Sequence, residues 1–370
     1  MKSDDEQLML RIALHQLPGI GPVLARNLVS YCGSVENVFS KKKSQLEKIP
    51  GIGSERAAII GKHKNFEKAA AEVKWIRKND VQSFYYLDEN YPKRLKECDD
   101  APALLFAKGN MNLDSARTLA VVGTRHITTH GKHATEKLIR DLSDQNIVII
   151  SGLAYGVDVT AHQAAIKYGI PTIGVIAHGI DKVYPKEHIN VASRMLHNGG
   201  LVTEYMHGTK AEKDNFPARN RIVAGLSDAV LVIESAKRGG ALITAEIAGS
   251  YNRDVFAMPG RITDQFSSGC NDLIRTNRAM LIESAAHLLE AMQWDEKSEK
   301  VKASKQLILF RDFTPSEKAV VDSLREKEKI SIDDLSLNSG IPLNQLSGIL
   351  LQLEFDGLVR SLPGKVYSLI

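Results

Sequence analysis

Apolar residues along this chain follow two different rhythms. Between residues 118 and 262, short runs that are apolar at nearly every position alternate with longer amphipathic stretches. The runs are LAVV (119–122), IVII (147–150), TIGVIAHG (172–179), LVTEY (201–205), DAVLVIES (228–235) and DVFAM (254–258). A strand without a polar face must be covered on both sides, which is the condition inside a parallel sheet. The intervening segments, near 130–146, 159–169, 216–226 and 238–252, have helical length. Glycine-bearing turns open several of them. This alternation predicts an α/β domain whose binding edge is made by the loops at the carboxyl ends of its strands.

The flanks have a different grammar. Residues 5–80 read as short helices in which one phrase occurs twice, LPGIGPVLARNLV (17–29) and IPGIGSERAAII (49–60). A Pro-Gly-Ile-Gly turn opening a helix is a helix–hairpin–helix pattern. Its glycines allow backbone N–H groups to face a phosphate, although the same turns also serve a purely structural or protein-contacting helical domain. Residues 81–117 read as a connector with one or two short strands, broken by Pro92 and Pro102. Residues 292–304 are charged and aperiodic and read as a linker. Beyond them, helical stretches near 315–328, 332–338 and 342–356 and a hairpin around Pro363-Gly364 have the order of a winged helix. Residues 305–370 carry eight Lys and Arg against nine Asp and Glu, and the helix PLNQLSGILLQLEFDG has no basic residue. A module that reads DNA needs a basic face, so this one is expected to meet protein.

The 370 residues are too many for one ordinary core, and 43% hydrophobic with 25% charged residues is a globular composition. A formal charge of +4 permits an anionic partner without requiring one. Cys32, Cys98 and Cys270 are far apart and form no CxxC pair, so neither a disulfide framework nor a zinc site is expected. The acidic start MKSDDEQLML lacks a signal-peptide run, and no stretch reaches the ~18 apolar residues of a membrane span. A cytoplasmic protein is expected, with no membrane contact.

Cations rather than catalysts collect at the expected binding edge. The run GTRHITTHGKH (123–133) fails as a P-loop, because it lacks the glycine spacing and His133 follows Lys132 in place of Ser or Thr. It also fails as a dinucleotide fingerprint, because Arg125 occupies the second glycine position. A large cation there suits a phosphate held by a side chain. FPARNR (216–221) places Phe216 beside Arg219, Asn220 and Arg221. Guanidinium groups bind phosphates and an aromatic face receives an unstacked base. The bland reading is a helix start whose arginines pair with Glu204 or Asp228. Lys237, Arg238, Gly239 and Gly240 again put cations and glycines between a strand and a helix, where backbone amides of 239–241 form an anion nest. Arg253 and Arg261 are expected on the same rim. Asp158 reads as a helix-capping or dipole-facing carboxylate. With His162 four residues on, it also has the spacing of a proton relay. Glu204 and Glu234, both at strand ends, are the one carboxylate pair available for glycosidic chemistry. The histidines show no metal-ligand spacing, and no metal or cofactor is expected.

These residues together resemble the DNA-processing protein A (DprA/Smf) family over essentially the whole chain. The family's G-[ST]-R appears as Gly123-Thr124-Arg125, its S-G-x-A-x-G-[IV]-D as Ser151 to Asp158, and its Y-P as Tyr184-Pro185. F-P-x-R-N-R-I is Phe216 to Ile222, G-x-L-I-T-A is Gly240 to Ala245, and V-x-x-x-P-G is Val255 to Gly260. Tyr155 stands where Arg is frequent, Gly239 where Ser is common, and Asn277-Arg278 where Gly-Ala is usual. The resemblance implies an extended Rossmann-like parallel-sheet core, an all-α helix–hairpin–helix (SAM-like) N-terminal domain and a C-terminal winged helix. It implies a non-catalytic, homodimeric protein that binds and protects single-stranded DNA and loads the RecA recombinase on it in natural transformation.

The expected domains are 1–80, 81–291 including the connector 81–117, and 305–370, with the linker 292–304 between the last two. The expected DNA contacts are Gly123, Thr124, Arg125, Phe216, Arg219, Asn220, Arg221, Lys237, Arg238, Gly239, Gly240 and Arg261. A Rossmann-like enzyme that binds or hydrolyses a nucleotide in the same crevice is the alternative. A nucleotide-sensing regulator whose winged helix reads duplex DNA is a third, disfavoured by the acidic balance of 305–370.

Overall fold

Every uninterrupted apolar run of 118–262 lies in one sheet. The structure, a computed structural model, describes residues 4–63, 66–294, 313–327, 329–356, 358–362 and 365–369. The strands are β1 (Gln82–Tyr85), β2 (Leu104–Asn110), β3 (Thr118–Val122), β4 (Val148–Ser151), β5 (Thr172–Val175), β6 (Gly199–Thr203), β7 (Ala229–Val232), β8 (Asp254–Ala257) and β9 (Met280–Leu281). Their order is β1-β2-β6-β5-β4-β3-β7-β8-β9. From β6 to β9 all neighbours are parallel, and β1 and β2 add an antiparallel edge. The connector therefore supplies both of its short strands to the main sheet. β3 to β7 are buried at every position, as strands covered on both faces must be.

The helices are α1 (Asp4–His15), α2 (Pro22–Cys32), α3 (Val35–Ser40), α4 (Lys43–Leu46), α5 (Ser54–Lys62), α6 (Glu67–Lys78), α7 (Lys93–Lys96), α8 (Thr129–Asp141), α9 (Val157–Lys167), α10 (Ile189–Met195), α11 (Asn215–Gly225), α12 (Gly240–Ser250), α13 (Ser268–Arg275) and α14 (Ala285–Ala291). β3 is followed in the sheet by β4, β5 and β6 on one side and by β7 and β8 on the other. The reversal leaves a crevice at the carboxyl ends around β3, where open α/β sheets bind ligands. Four helices have no counterpart in the apolar pattern: α7, α10, α13 and α14. Asn277, beyond α13, has φ +54, the left-handed conformation expected of an asparagine replacing glycine there.

The described residues form two compact units that divide after Leu288. In the first, α1 to α6 do not stand apart from the sheet. Ile12, Leu28, Ile60 and Ile76 share one apolar core with Leu104, Phe106 and Leu201 of the sheet. A second core covers the other face and includes Val122, Val232, Ile222 and Ala245. The two Pro-Gly-Ile-Gly turns are structural duplicates, with Gly19 at φ +72 and Gly51 at φ +80. Gly21 and Gly53 cap α2 and α5 with nearly the same backbone angles. Arg56 donates to Gly19 O at 3.0 Å and to Gly51 O at 3.1 Å, tying the turns together.

The second unit contains the helices Pro315–Glu326, Ile332–Ser339 and Leu343–Phe355, with a small antiparallel sheet formed by Ile330–Ser331, Val359–Leu362 and Val366–Leu369. Thr314 and Glu317 cap the first helix reciprocally. Val320, Leu335, Leu346 and Leu350 are in its core. This is the winged helix read from the sequence. The expected linker beyond Trp294 and the Pro363-Gly364 turn lie outside the described residues.

Candidate functional site

The loop after β3 is held so that its backbone is fixed and its arginine is free. Thr124 N–H donates to Glu234 O at 2.7 Å, and Val157 N–H donates to Thr124 O at 3.2 Å. Gly156 has φ +79, and a Cβ there would collide with the Thr124 carbonyl, so only glycine allows α9 to start this close. Thr128 caps α8 through Gly131 N–H at 3.0 Å. The Glu234 carboxylate accepts from Thr128 N–H at 2.9 Å and from the Thr128 hydroxyl. Arg125, projecting from this anchored loop, is exposed.

Its guanidinium carbon lies 5.5 Å from the centre of the Phe216 ring, in the first turn of α11. The Tyr184 ring, half exposed, is 5.8 Å from that of Phe216. These groups stand over a crevice of about 600 Å³. Gly123, Thr124, His126 and Asp158 line one side, Lys213, Phe216, Arg219 and Asn220 another, and Gly239, Gly240 and Thr244 the third. Gly240 and Ala241 open α12 here, and the first N–H groups of a helix have no partner within it. Cation, aromatic faces and helix N-terminus together suit a polyanion with exposed rings.

Neighbouring arginines in one motif take different places. Arg219 is buried, donating to Gly152 O at 2.6 Å and to Val175 O. Burial pulls it down to about 10, while the nearby Asp158 carboxylate favours its charge, so it stays a cation at neutral pH. Burial in turn pushes Asp158 up, opposed by Arg219 and by the N–H groups of Gly152 and Ala154 at 3.2 and 3.3 Å. Asp158 stands in the first turn of α9, as a dipole-facing carboxylate should, but it does not cap the helix: it holds the preceding loop and lies near a buried cation. It does not pair with His162, whose Nδ1 contacts the Thr172 hydroxyl at 2.7 Å. That hydroxyl donates to Ile149 O, so His162 must be the Nδ1–H tautomer. Its Nε2 is buried without a partner, and burial pushes its pKa down to about 3. No proton relay is formed.

Arg221 turns away from the crevice to Glu204 at 2.5 Å, a pair almost out of solvent. The Glu204 backbone carbonyl contacts His15 Nε2 at 2.9 Å. Glu234 is occupied by Thr128, and four strand spacings, about 19 Å, separate the ends of β6 and β7. The expected carboxylate pair does not exist. Arg253 lies at the amino end of β8, donating to Arg94 O at 2.8 Å, on the opposite edge from the crevice. Lys237, Arg238 and Arg261 are exposed on loops at the carboxyl edge and do not line the crevice.

Lys213, Tyr184, His126 and Thr244 line it but were not among the contacts expected from sequence, although Tyr184 and Thr244 lie within family motifs. The loop that carries Lys213 begins at His207, which is moored to the N-terminal helices. Its ring stacks on Trp75 at 4.7 Å and 6°, and the buried Glu72 accepts from its N–H at 3.0 Å and contacts its Nδ1. Gln16 Nε2 meets Met206 Sδ at 2.9 Å.

Comparison with known proteins gives the family. The profile of DNA recombination-mediator protein A matches residues 82–293, which contain the whole sheet and crevice. The chain belongs to the DNA recombination-mediator protein A family. A SAM-like helix–hairpin–helix tandem matches residues 12–60 and the DprA winged helix domain residues 311–365. Protein Smf of Synechocystis is 32% identical over 96% of this chain and 97% of its own length. DNA processing protein DprA of Streptococcus pneumoniae is 43% identical over 57% of this chain and 74% of its own. The X-ray structure of that DprA superposes with a TM-score of 0.64 at 35% identity, covering 78% of this chain and 98% of that one. DNA processing protein A of Helicobacter pylori superposes at 0.53 and 30% identity, covering 58% and 96%, in a structure devoted to its single-stranded DNA binding mode.

Among the described residues no group of three or more His, Cys, Asp or Glu is arranged to hold a metal ion. No described helix is long and apolar enough to cross a membrane.

Proposed function

We propose that the crevice binds single-stranded DNA without cleaving it, and that the protein protects the strand and loads the RecA recombinase on it during natural transformation. The carrying observation is Arg125 at 5.5 Å from the Phe216 ring, both at the mouth of the crevice. The cation neutralises a phosphate, and the ring, with Tyr184, receives a base that a duplex would keep stacked. Relatives named DNA processing protein, one of them studied for its single-stranded DNA binding mode, support the same reading.

Arg125, Phe216, Asn220, Gly123, Thr124, Gly239 and Gly240 are the proposed direct contacts, joined by Lys213. Arg219 and Arg221 are proposed as positioning residues, and Lys237, Arg238 and Arg261 as outer contacts to the strand. We keep 1–80, 81–291 and 305–370 as the proposed domains, a cytoplasmic address, and a homodimer formed through the Rossmann-like domain.

The test is fluorescence anisotropy of labelled oligo-dT, titrated with salt, for the wild type and Arg125→Ala, with duplex and ATP as competitors. Salt-sensitive binding that is lost in Arg125→Ala and resists both competitors is the expected result. Displacement by ATP would return the crevice to a nucleotide enzyme.

A further inference from the structure

We infer that the bound strand continues out of the crevice into a second hollow beside α8, which takes a further nucleotide. The inference rests on the single-strand reading of the first crevice. The hollow, about 380 Å³, lies between α8 and the segments around Met258-Pro259 and 283–285. His130, His133 and Lys137 face it from one side of α8, at spacings of three and four residues. Helical rise spreads them over about 10 Å. All three are exposed, and none has an ion pair or side-chain hydrogen bond with a described residue.

The lining decides the ligand class. Imidazoles and an ammonium alone would suit any small anion. This hollow also has an apolar lining of Leu138, Met258 and Pro259 and two carboxylates, Glu283 and Asp141, the latter neutralised by Arg140 at 2.9 Å. A phosphate, a flat ring and an N–H donor on the base edge match those features, and a nucleotide, thymidine with its ring N–H included, carries them all.

Position ties the hollow to the strand. His126 lines the first crevice and His130, four residues on, lines the second. The His126 ring is stacked against Phe266 at 6.3 Å. Met258 follows β8, the neighbour of β7 in the sheet, so both openings lie along the same carboxyl edge.

The experiment measures oligo-dT affinity as length is stepped from about 4 to about 16 nucleotides, the range of single-strand site sizes. It compares the full-length wild type with the triple variant His130→Ala/His133→Ala/Lys137→Ala and with Arg125→Ala. Wild-type affinity should rise in a step once the oligomer is long enough to pass His126. The triple variant should melt at the wild-type temperature, bind the shortest oligomers as the wild type does, and lack the step. Its salt slope on long oligomers should be shallower by about 0.7, the loss of one lysine–phosphate contact. A triple variant that keeps the step and the slope overturns the inference. Arg125→Ala that leaves the shortest oligomers bound overturns the underlying reading instead.

Discussion

Arg219 lies directly against Gly152, donating to its carbonyl at 2.6 Å, and a Cβ on that glycine would lie inside the guanidinium. The glycine of the S-G-x-A-x-G motif is thus required by an arginine in another motif 67 residues away. Gly152→Ala should displace Arg219 and leave Asp158 buried without its cation. A hydrogen bond from a charged group, such as those of Arg219 to the Gly152 and Val175 carbonyls, is worth about 1.5–3 kcal/mol. Chemical denaturation should show a loss of that order, and a neutral substitution would refute the packing.

Arg125 and Arg219 should separate in their effects. Arg125 is exposed, so Arg125→Ala should change stability by no more than about 0.5 kcal/mol while weakening oligonucleotide binding. Arg219→Met should lower the melting temperature clearly, with binding reduced because the α11 start loses its support. Equal melting temperatures for the two variants would contradict the burial of Arg219.

Phe216→Ala should cost about 1–3 kcal/mol in single-strand affinity, the value of one base–aromatic stack. Its salt slope should stay at the wild-type value, because no charge is lost. Competition by duplex DNA should become more effective. A changed salt slope with unchanged competition would show that the ring does not meet a base.

His162 makes stability depend on pH in a defined window. Its pKa is about 3 in the folded protein, against 6.5 for the free side chain. The unfolded chain therefore binds the proton first, and stability present above about 6.5 is lost as pH falls toward 3, by at most about 5 kcal/mol. His15 and His178, also lowered by burial, act in the same direction. Asp158, raised by burial, acts oppositely at the acidic end. Denaturation from pH 7 to 4 should show the decline, and it should be flatter in His162→Gln.

Strands buried on both faces were legible because nothing but apolar residues fits there; LAVV at β3 needs no further context. β9, the two residues Met280 and Leu281, is exposed and too short to carry a period. The crevice's position was legible from where the glycine turns fall between strands and helices. The division of labour within Phe216-Pro217-Ala218-Arg219-Asn220-Arg221 was not. Which arginine is buried depends on the carbonyls of Gly152 and Val175, and which is paired depends on Glu204. Lys213 was hidden for a different reason: in a stretch as charged as KAEKD, one more lysine reads as solvated surface.

The stacking of His207 on Trp75 bears on how the protein can be cut. Cleavage near residue 80 looks harmless on paper, since it falls between two matched profiles. It would remove Glu72 and Trp75, and with them the anchor of the segment that brings Lys213 to the crevice. It would also uncover Leu104, Phe106 and Leu201, which share their core with the helices. A trimmed fragment would be a sticky one with a slack lip, and a binding assay on it would say little about the intact molecule.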